Sequence, residues 1–167
     1  MKRRTFLQAT LAAAALLSAP RLLQAETQRK ADMTDTTMEK ITKSDSQWRQ
    51  ILSSEQYDVL RNEGTERPFT SPLNKQYDAG TYVCAGCALP LFEANTKFDS
   101  GTGWPSFYQS IEGHTETKLD FKMILPRKEY HCMRCGGHQG HIFNDGPEPT
   151  GQRWCNNGVA LKFIPAV

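Results

Sequence analysis

Five cysteines carry most of the chemistry open to this 167-residue chain, and their spacing divides them four and one. Cys84-Ala85-Gly86-Cys87 and Cys132-Met133-Arg134-Cys135 are two C-x-x-C units. Two such units converge readily on one tetrahedral zinc ion, because both sulfurs of each turn can face the same metal. The 44 residues between the pairs exceed a zinc-finger spacing, so the ion would pin two distant segments together. Gly86 and Gly136 are expected to supply the tight backbone of these turns. Two rival chemistries are a pair of structural disulfides and a thioredoxin-like redox pair. The second needs a βαβ pattern that neither unit has around it. One ion accounts for both units at once, so the expected cofactor is one structural zinc on Cys84, Cys87, Cys132 and Cys135.

Cys155 is then left over. An unpaired thiol is a flag for reactivity, since the thiolate is the nucleophile. It closes a segment dense in imidazole, amide and turn residues, from His138-Gln139-Gly140-His141 through Asp145-Gly146-Pro147 to Arg153-Trp154-Cys155-Asn156-Asn157. His138 and His141 can exchange a proton near neutral pH. One histidine alone is more often structural than catalytic, and it is the pair that points to function. Asn157, two residues past the thiol, would share its side of a strand. Upstream, Gly101-Thr102-Gly103-Trp104-Pro105-Ser106-Phe107 sets the Trp104 indole in a stiff turn where it can wall a pocket. Phe107 reads as core or pocket rim, and Arg153 as either an ion-pair partner or a group favouring the thiolate. His114 and His131 fall outside the motifs and read as surface or loop residues.

Taken together, the G-W-P-S-F segment, the H-x-x-H-x-F-x-D-G-P-x-P-T-G-x-R-W-C-x-N segment and the paired C-x-x-C units resemble the type B methionine sulfoxide reductases over about residues 44 to 165. That resemblance implies an enzyme reducing methionine (R)-sulfoxide, free or in oxidised proteins. It implies that Cys155 attacks the sulfoxide sulfur and is left as a sulfenic acid. His138 and His141 would protonate the oxygen and order water, Asn157 would donate to the sulfoxide region, and Trp104 would pack on the S-methyl group. Many members carry a resolving cysteine just before G-W-P-S-F, where this chain has Thr102, so recycling would fall to an external thioredoxin-like or small-thiol reductant. A non-catalytic zinc-binding module for a protein partner is the alternative, but such a module does not need Cys155.

The elements that must position these residues form an expected α+β domain over 44–167: two short N-terminal helices, then a mainly antiparallel β body stapled by the four-cysteine zinc site. Ser44 and Ser53 each precede a Gln by three residues, the reciprocal capping pattern of a helix start, and Gly64 reads as the second helix's stop. Trp48, Ile51, Leu52, Tyr57 and Leu60 make the apolar stripe. Leu119, Phe121 and Met123, alternating with Asp120 and Lys122, read as a half-buried strand, as do Val159, Leu161 and Phe163 alternating with Ala160 and Lys162. Before the domain, residues 26–43 read as a polar linker. Residues 1–25 read as a signal peptide of the twin-arginine type, basic at Lys2-Arg3-Arg4, apolar from Phe6 to Leu17, with a cleavage point after Ala25. Export to the periplasm is the expectation. Without that segment 16 basic residues face 18 acidic ones, where the whole chain has 20 and 18, and this balance excludes a basic nucleic-acid surface.

Overall fold

The computed structural model describes residues 38–121 and 126–167, so the expected signal peptide, residues 26–37 of the expected linker, and Lys122 and Met123 lie outside the described residues. The end of the stretch read as linker, residues 38–43, runs along the domain. Met38 and Ile41 pack on the core, and the Ile41 amide donates to Arg134 O at 2.7 Å.

Helices α1 (Asp45–Ile51) and α2 (Ser54–Asn62) begin as their capping patterns require, with both reciprocal bonds of each box made at Ser44–Gln47 and Ser53–Gln56. Trp48, Leu52, Tyr57, Val59 and Leu60 are buried, whereas Ile51, expected in the stripe, faces solvent. The left-handed residue that ends α2 is Glu63 (φ 58°) and not Gly64. Gly64 is needed for a different reason: its amide bonds Asp58 O, and a Cβ there would strike the Asp58 carboxylate.

Nine strands follow among the described residues: β1 (Gly80–Cys84), β2 (Pro90–Glu93), β3 (Lys97–Phe98), β4 (Ser106–Phe107), β5 (Thr115–Asp120), β6 (Arg127–Cys132), β7 (His138–Phe143), β8 (Arg153–Asn156) and β9 (Leu161–Pro165). A three-stranded sheet has the order β2-β1-β9 and a six-stranded sheet the order β3-β4-β8-β7-β6-β5. Every pairing is antiparallel, which makes the fold the α+β arrangement expected. Phe107 is core: it stacks on Phe92 at 4.1 Å and meets Tyr82 edge-on at 4.9 Å, while Trp154 meets Tyr130 at 4.9 Å. Such pairs add about 0.5–1.5 kcal/mol each beyond the area they bury, and the two made by Phe107 join the two sheets.

One strand faces the opposite way from its expected pattern. On β5, Leu119 and the following Phe121 are exposed, and Asp120 is buried. Asp120 bonds Arg127 and His141, so on this strand a buried ion-pair network outweighs the hydrophobic alternation. At β9 the expected alternation holds for buried Leu161 and exposed Lys162, while Val159 and buried Ala160 belong to a 3-10 turn, Gly158–Ala160.

Candidate active site

The two C-x-x-C units form matching turns. In the first, Cys84 N donates to Leu89 O and Ala88 N to Cys84 O; in the second, Cys132 N donates to Gly137 O and Gly136 N to Cys132 O, each within 2.8–2.9 Å. The residue after each second cysteine takes a left-handed conformation, Ala88 at φ 59° and Gly136 at φ 66°. Gly136 therefore does what was expected of it, and Ala88 carries the strain expected at Gly86.

The turns bring all four sulfurs within 4.8 Å of one another. The close approaches run between the turns, Cys84 Sγ to Cys135 Sγ at 3.7 Å and Cys87 Sγ to Cys132 Sγ at 3.4 Å, and all five cysteines are free. A tetrahedral ion with bonds of about 2.3 Å to sulfur places its ligands about 3.8 Å apart, so the group fits such an ion after small adjustments. Gln139 Nε2 donates to Cys84 Sγ at 3.5 Å, a bond that suits a thiolate. Crowding of the sulfurs pulls the Cys87 and Cys132 thiols down and pushes Cys84 and Cys135 up, a conflict that a dication binding four thiolates removes.

Cys155 lies apart from this group, on β8. Sheet order sets β8 between β4 and β7, and register places Ser106 opposite Cys155 on one side and His141 on the other. A cavity of about 110 Å³ opens there, lined by Cys155, His141, Trp104, Asn157, Arg127 and Phe143 among others. The thiol, one of its two histidines, the indole and the amide expected to act together therefore do meet. Trp104 is held by its Nε1, which donates to Glu66 O at 2.9 Å. Asn157 comes just after the end of β8. Its Oδ1 accepts from Glu66 N at 2.9 Å and its Nδ2 donates to Gln139 O at 3.0 Å, tying the loop behind Trp104 to β7.

The two histidines occupy different depths. His141 lines the cavity, and His138, only 1 % exposed, lies behind it with the rings 5.5 Å apart. Each has a carboxylate partner: His138 Nδ1 to Glu129 Oε1 at 2.5 Å and His141 Nε2 to Asp120 Oδ2 at 2.9 Å. Burial drives His138 down to about 4 against the pull of Glu129, and burial also lowers His141 against Asp120. Both rings are therefore neutral at pH 7, each with its single N–H on the carboxylate side, leaving His138 Nε2 and His141 Nδ1 as proton acceptors.

Burial likewise pushes the Cys155 thiol up, opposed by the Arg153 charge and by hydrogen bonds from Thr102 and Arg153. Both readings of Arg153 hold together, because its guanidinium also grips Asp145 through two bonds of 2.8 and 2.9 Å and lies over Phe143. Asp120, Glu129 and Arg127 were missed in the sequence. Their only signal is charge inside strand-like stretches, which is indistinguishable from a solvated face until the sheet is assembled.

Residues 52–165 match the SelR domain family, which covers well over half of the chain. The chain belongs to the SelR family, the type B methionine sulfoxide reductases. It is 52 % identical to a peptide methionine sulfoxide reductase MsrB of Bradyrhizobium diazoefficiens over 79 % of this chain and 96 % of that protein. It is 53 % identical to the MsrB of Pseudomonas putida over 77 % and 97 %. The chloroplastic peptide methionine sulfoxide reductase B1 of Arabidopsis thaliana is 50 % identical over 72 % of this chain and 60 % of its own length. Among solved structures, the Mis18 "Yippee-like" domain overlaps 54 % of this SelR chain at a TM-score of 0.43 and 14 % identity, too loose a likeness to bear on function. This member is an oxidoreductase that reduces methionine sulfoxide, and its four clustered cysteines stand at metal-binding distance from one another, apart from Cys155.

Proposed function

We propose that this methionine sulfoxide reductase acts on the (R) epimer through Cys155, which is left as a sulfenic acid and is recycled by an external thiol. The observation that carries the reading is the pairing of Cys155 with His141 across β7 and β8, beside a cavity walled by Trp104. The thiol and both histidines rest in neutral forms, and the reaction balances without a net proton. The Cys155 proton passes to His141, the thiolate attacks the sulfoxide sulfur, and that proton returns to the sulfoxide oxygen. The S–O bond on the substrate then breaks, the released hydroxyl bonds the Cys155 sulfur, and the S–S bond formed by the attack breaks with its electron pair going to the methionine sulfur. Methionine leaves with its sulfur reduced, and Cys155 keeps the oxygen as S–OH. Asp120 and Glu129 favour transient imidazolium, and Arg153 with Thr102 favours transient thiolate. Trp104 packs on the S-methyl group and Asn157 borders the sulfoxide oxygen. His138, behind His141, is a positioning residue.

A cavity of about 110 Å³ suits the methyl sulfoxide end of a side chain better than a whole amino acid with its two charged groups, so oxidised proteins are the substrate class. The ion held by Cys84, Cys87, Cys132 and Cys135 is zinc, which supplies no step of the reaction and staples β1 to β6. With those thiols engaged and Thr102 beside Cys155, a thioredoxin-like protein or a small thiol must attack the sulfenic acid directly. Residues 1–25 are an export signal of the twin-arginine type, so the enzyme works in the periplasm. The tests are turnover of separated sulfoxide epimers and a fractionation of cells carrying the Arg3→Lys/Arg4→Lys variant. Wild type should consume the (R) epimer, and Cys155→Ser should lose turnover with fold and metal content intact. Turnover by Cys155→Ser removes the mechanism, and export of the twin-lysine variant removes the route.

A further inference from the structure

Beside the four sulfurs and the Cys155 cavity there is a third cluster of donors. Glu129, His131 and His138 bring one ligand atom each to within 4.8 Å of one another. His131 was expected on the surface. It lies instead on β6, next but one to Glu129 and opposite His138 of β7, because the register shifts between Tyr130 and His131. The extra residue is Gln139 of β7, which has no partner on β6, so His138 comes onto the face that Glu129 and His131 share as alternate residues of β6.

The hydrogen bonds leave an electrostatic conflict at that spot. His131 Nδ1 meets the carbonyl oxygen of Gly136 at 3.1 Å, which fixes its N–H on that nitrogen. Its Nε2, buried and without a hydrogen-bond partner, stands 3.0 Å from Glu129 Oε1, and in the neutral ring that nitrogen turns a lone pair toward the carboxylate. The same oxygen faces His138 Nδ1 at 2.5 Å, while Lys118 Nζ stands 3.4 Å from the other oxygen, Oε2. A lone pair aimed at a carboxylate in a buried place is unfavourable unless a positive charge stands between them. Two imidazoles and one carboxylate are also a recurrent donor set for zinc and similar divalent ions.

We propose that Glu129, His131 and His138 form a second divalent-cation site, separate from the four-sulfur site, whose occupation slows the reductase reaction. Ligands about 2.05 Å from a tetrahedral ion stand about 3.3 Å apart, so the His138 contact must open by several tenths of an ångström and surrender its proton. The His131 side chain, 13 % exposed, offers the way in. Binding takes His138 and Glu129 away from His141, and this inhibitory part rests on the proposed role of His138 in positioning it.

Tag-free, zinc-loaded full-length protein is titrated with Ni²⁺ by calorimetry, and turnover of (R)-sulfoxide is followed at each addition. Ni²⁺ is the probe because it does not readily replace zinc among four thiolates. The expected result is about one further ion per chain, with inhibition that a chelator reverses. His131→Ala and the size-conserving His131→Gln should each bind Ni²⁺ about tenfold more weakly or worse, keep their zinc and keep metal-free turnover. Cys155→Ser should bind the added ion as wild type does. Absence of saturable binding by wild type, or equal binding by both His131 variants, overturns the site and leaves His131 as a plain ionic partner of Glu129. Weaker binding after Cys155→Ser overturns it too, by moving the ion to the catalytic thiol. Binding that follows the His131 variants without slowing turnover upholds the site and overturns the part given to His138.

Discussion

Gly140 stands on β7 between the two histidines and pairs with Asn156 of β8. A Cβ built on it would lie 1.9 Å from Cys155 O and 3.0 Å from Cys155 C. Ordinary contact begins near 3.4 Å, so Gly140→Ala must part β7 and β8 by about 1.5 Å at the place where His141 faces Cys155. Both struck atoms are backbone, and no rotamer change relieves them. Overpacking of this kind costs about 1–3 kcal/mol of stability. A displacement of about 1 Å between reacting groups costs about 100-fold in rate. The assay is kcat/KM on (R)-sulfoxide with a thiol reductant, measured after circular dichroism and zinc content have established that the variant is folded. Gly86→Ala is the companion, because its nearest neighbours lie at 3.6 Å and it should behave as wild type. A folded Gly140→Ala enzyme with wild-type kcat/KM would refute the claim that the spacing of β7 and β8 sets the rate.

Elemental analysis should find about one zinc per chain, and a chelator strong enough to remove it should unfold the domain. Active, folded protein without metal would contradict the staple. His138 sits near 4 in the folded chain against 6.5 unfolded, so the unfolded state takes up its proton first as pH falls. Stability should be full above pH 6.5 and decline from there toward pH 4. The loss is at most about 3 kcal/mol, because each tenfold difference in proton affinity between the two states is worth about 1.4 kcal/mol. Urea midpoints that do not move between about pH 7 and pH 4.5 would argue against a neutral, buried His138. Because Thr102 stands near enough to Cys155 to draw its thiol down, Thr102→Cys should trap turnover without reductant as an internal disulfide to Cys155. Peptide mapping of wild type should find no internal disulfide, and a bridge from Cys155 to Cys84, Cys87, Cys132 or Cys135 would overturn the separation of staple from chemistry.

The amino-acid sequence by itself determined the features that depend on neighbours along the chain. Both capping boxes, the two C-x-x-C turns, the odd thiol and the Gly/Pro turn that presents Trp104 are local patterns, and each forms as the residues require. Tertiary structure decided what depends on which strand lies beside which. Nothing local says that β8 runs between β4 and β7, yet that order alone sets His141 opposite Cys155. The extra residue of β7, Gln139, brings His138 onto the face of the sheet that Glu129 and His131 share as alternate residues of β6. The clearest case is β5. Its apolar alternation pointed Leu119 inward, and the buried side chain is Asp120, because Arg127 on β6 offers a positive charge and His141 on β7 an N–H that a carboxylate satisfies together. A periodic pattern records which residues share a face, but the partners waiting on each side of the sheet decide which face is buried.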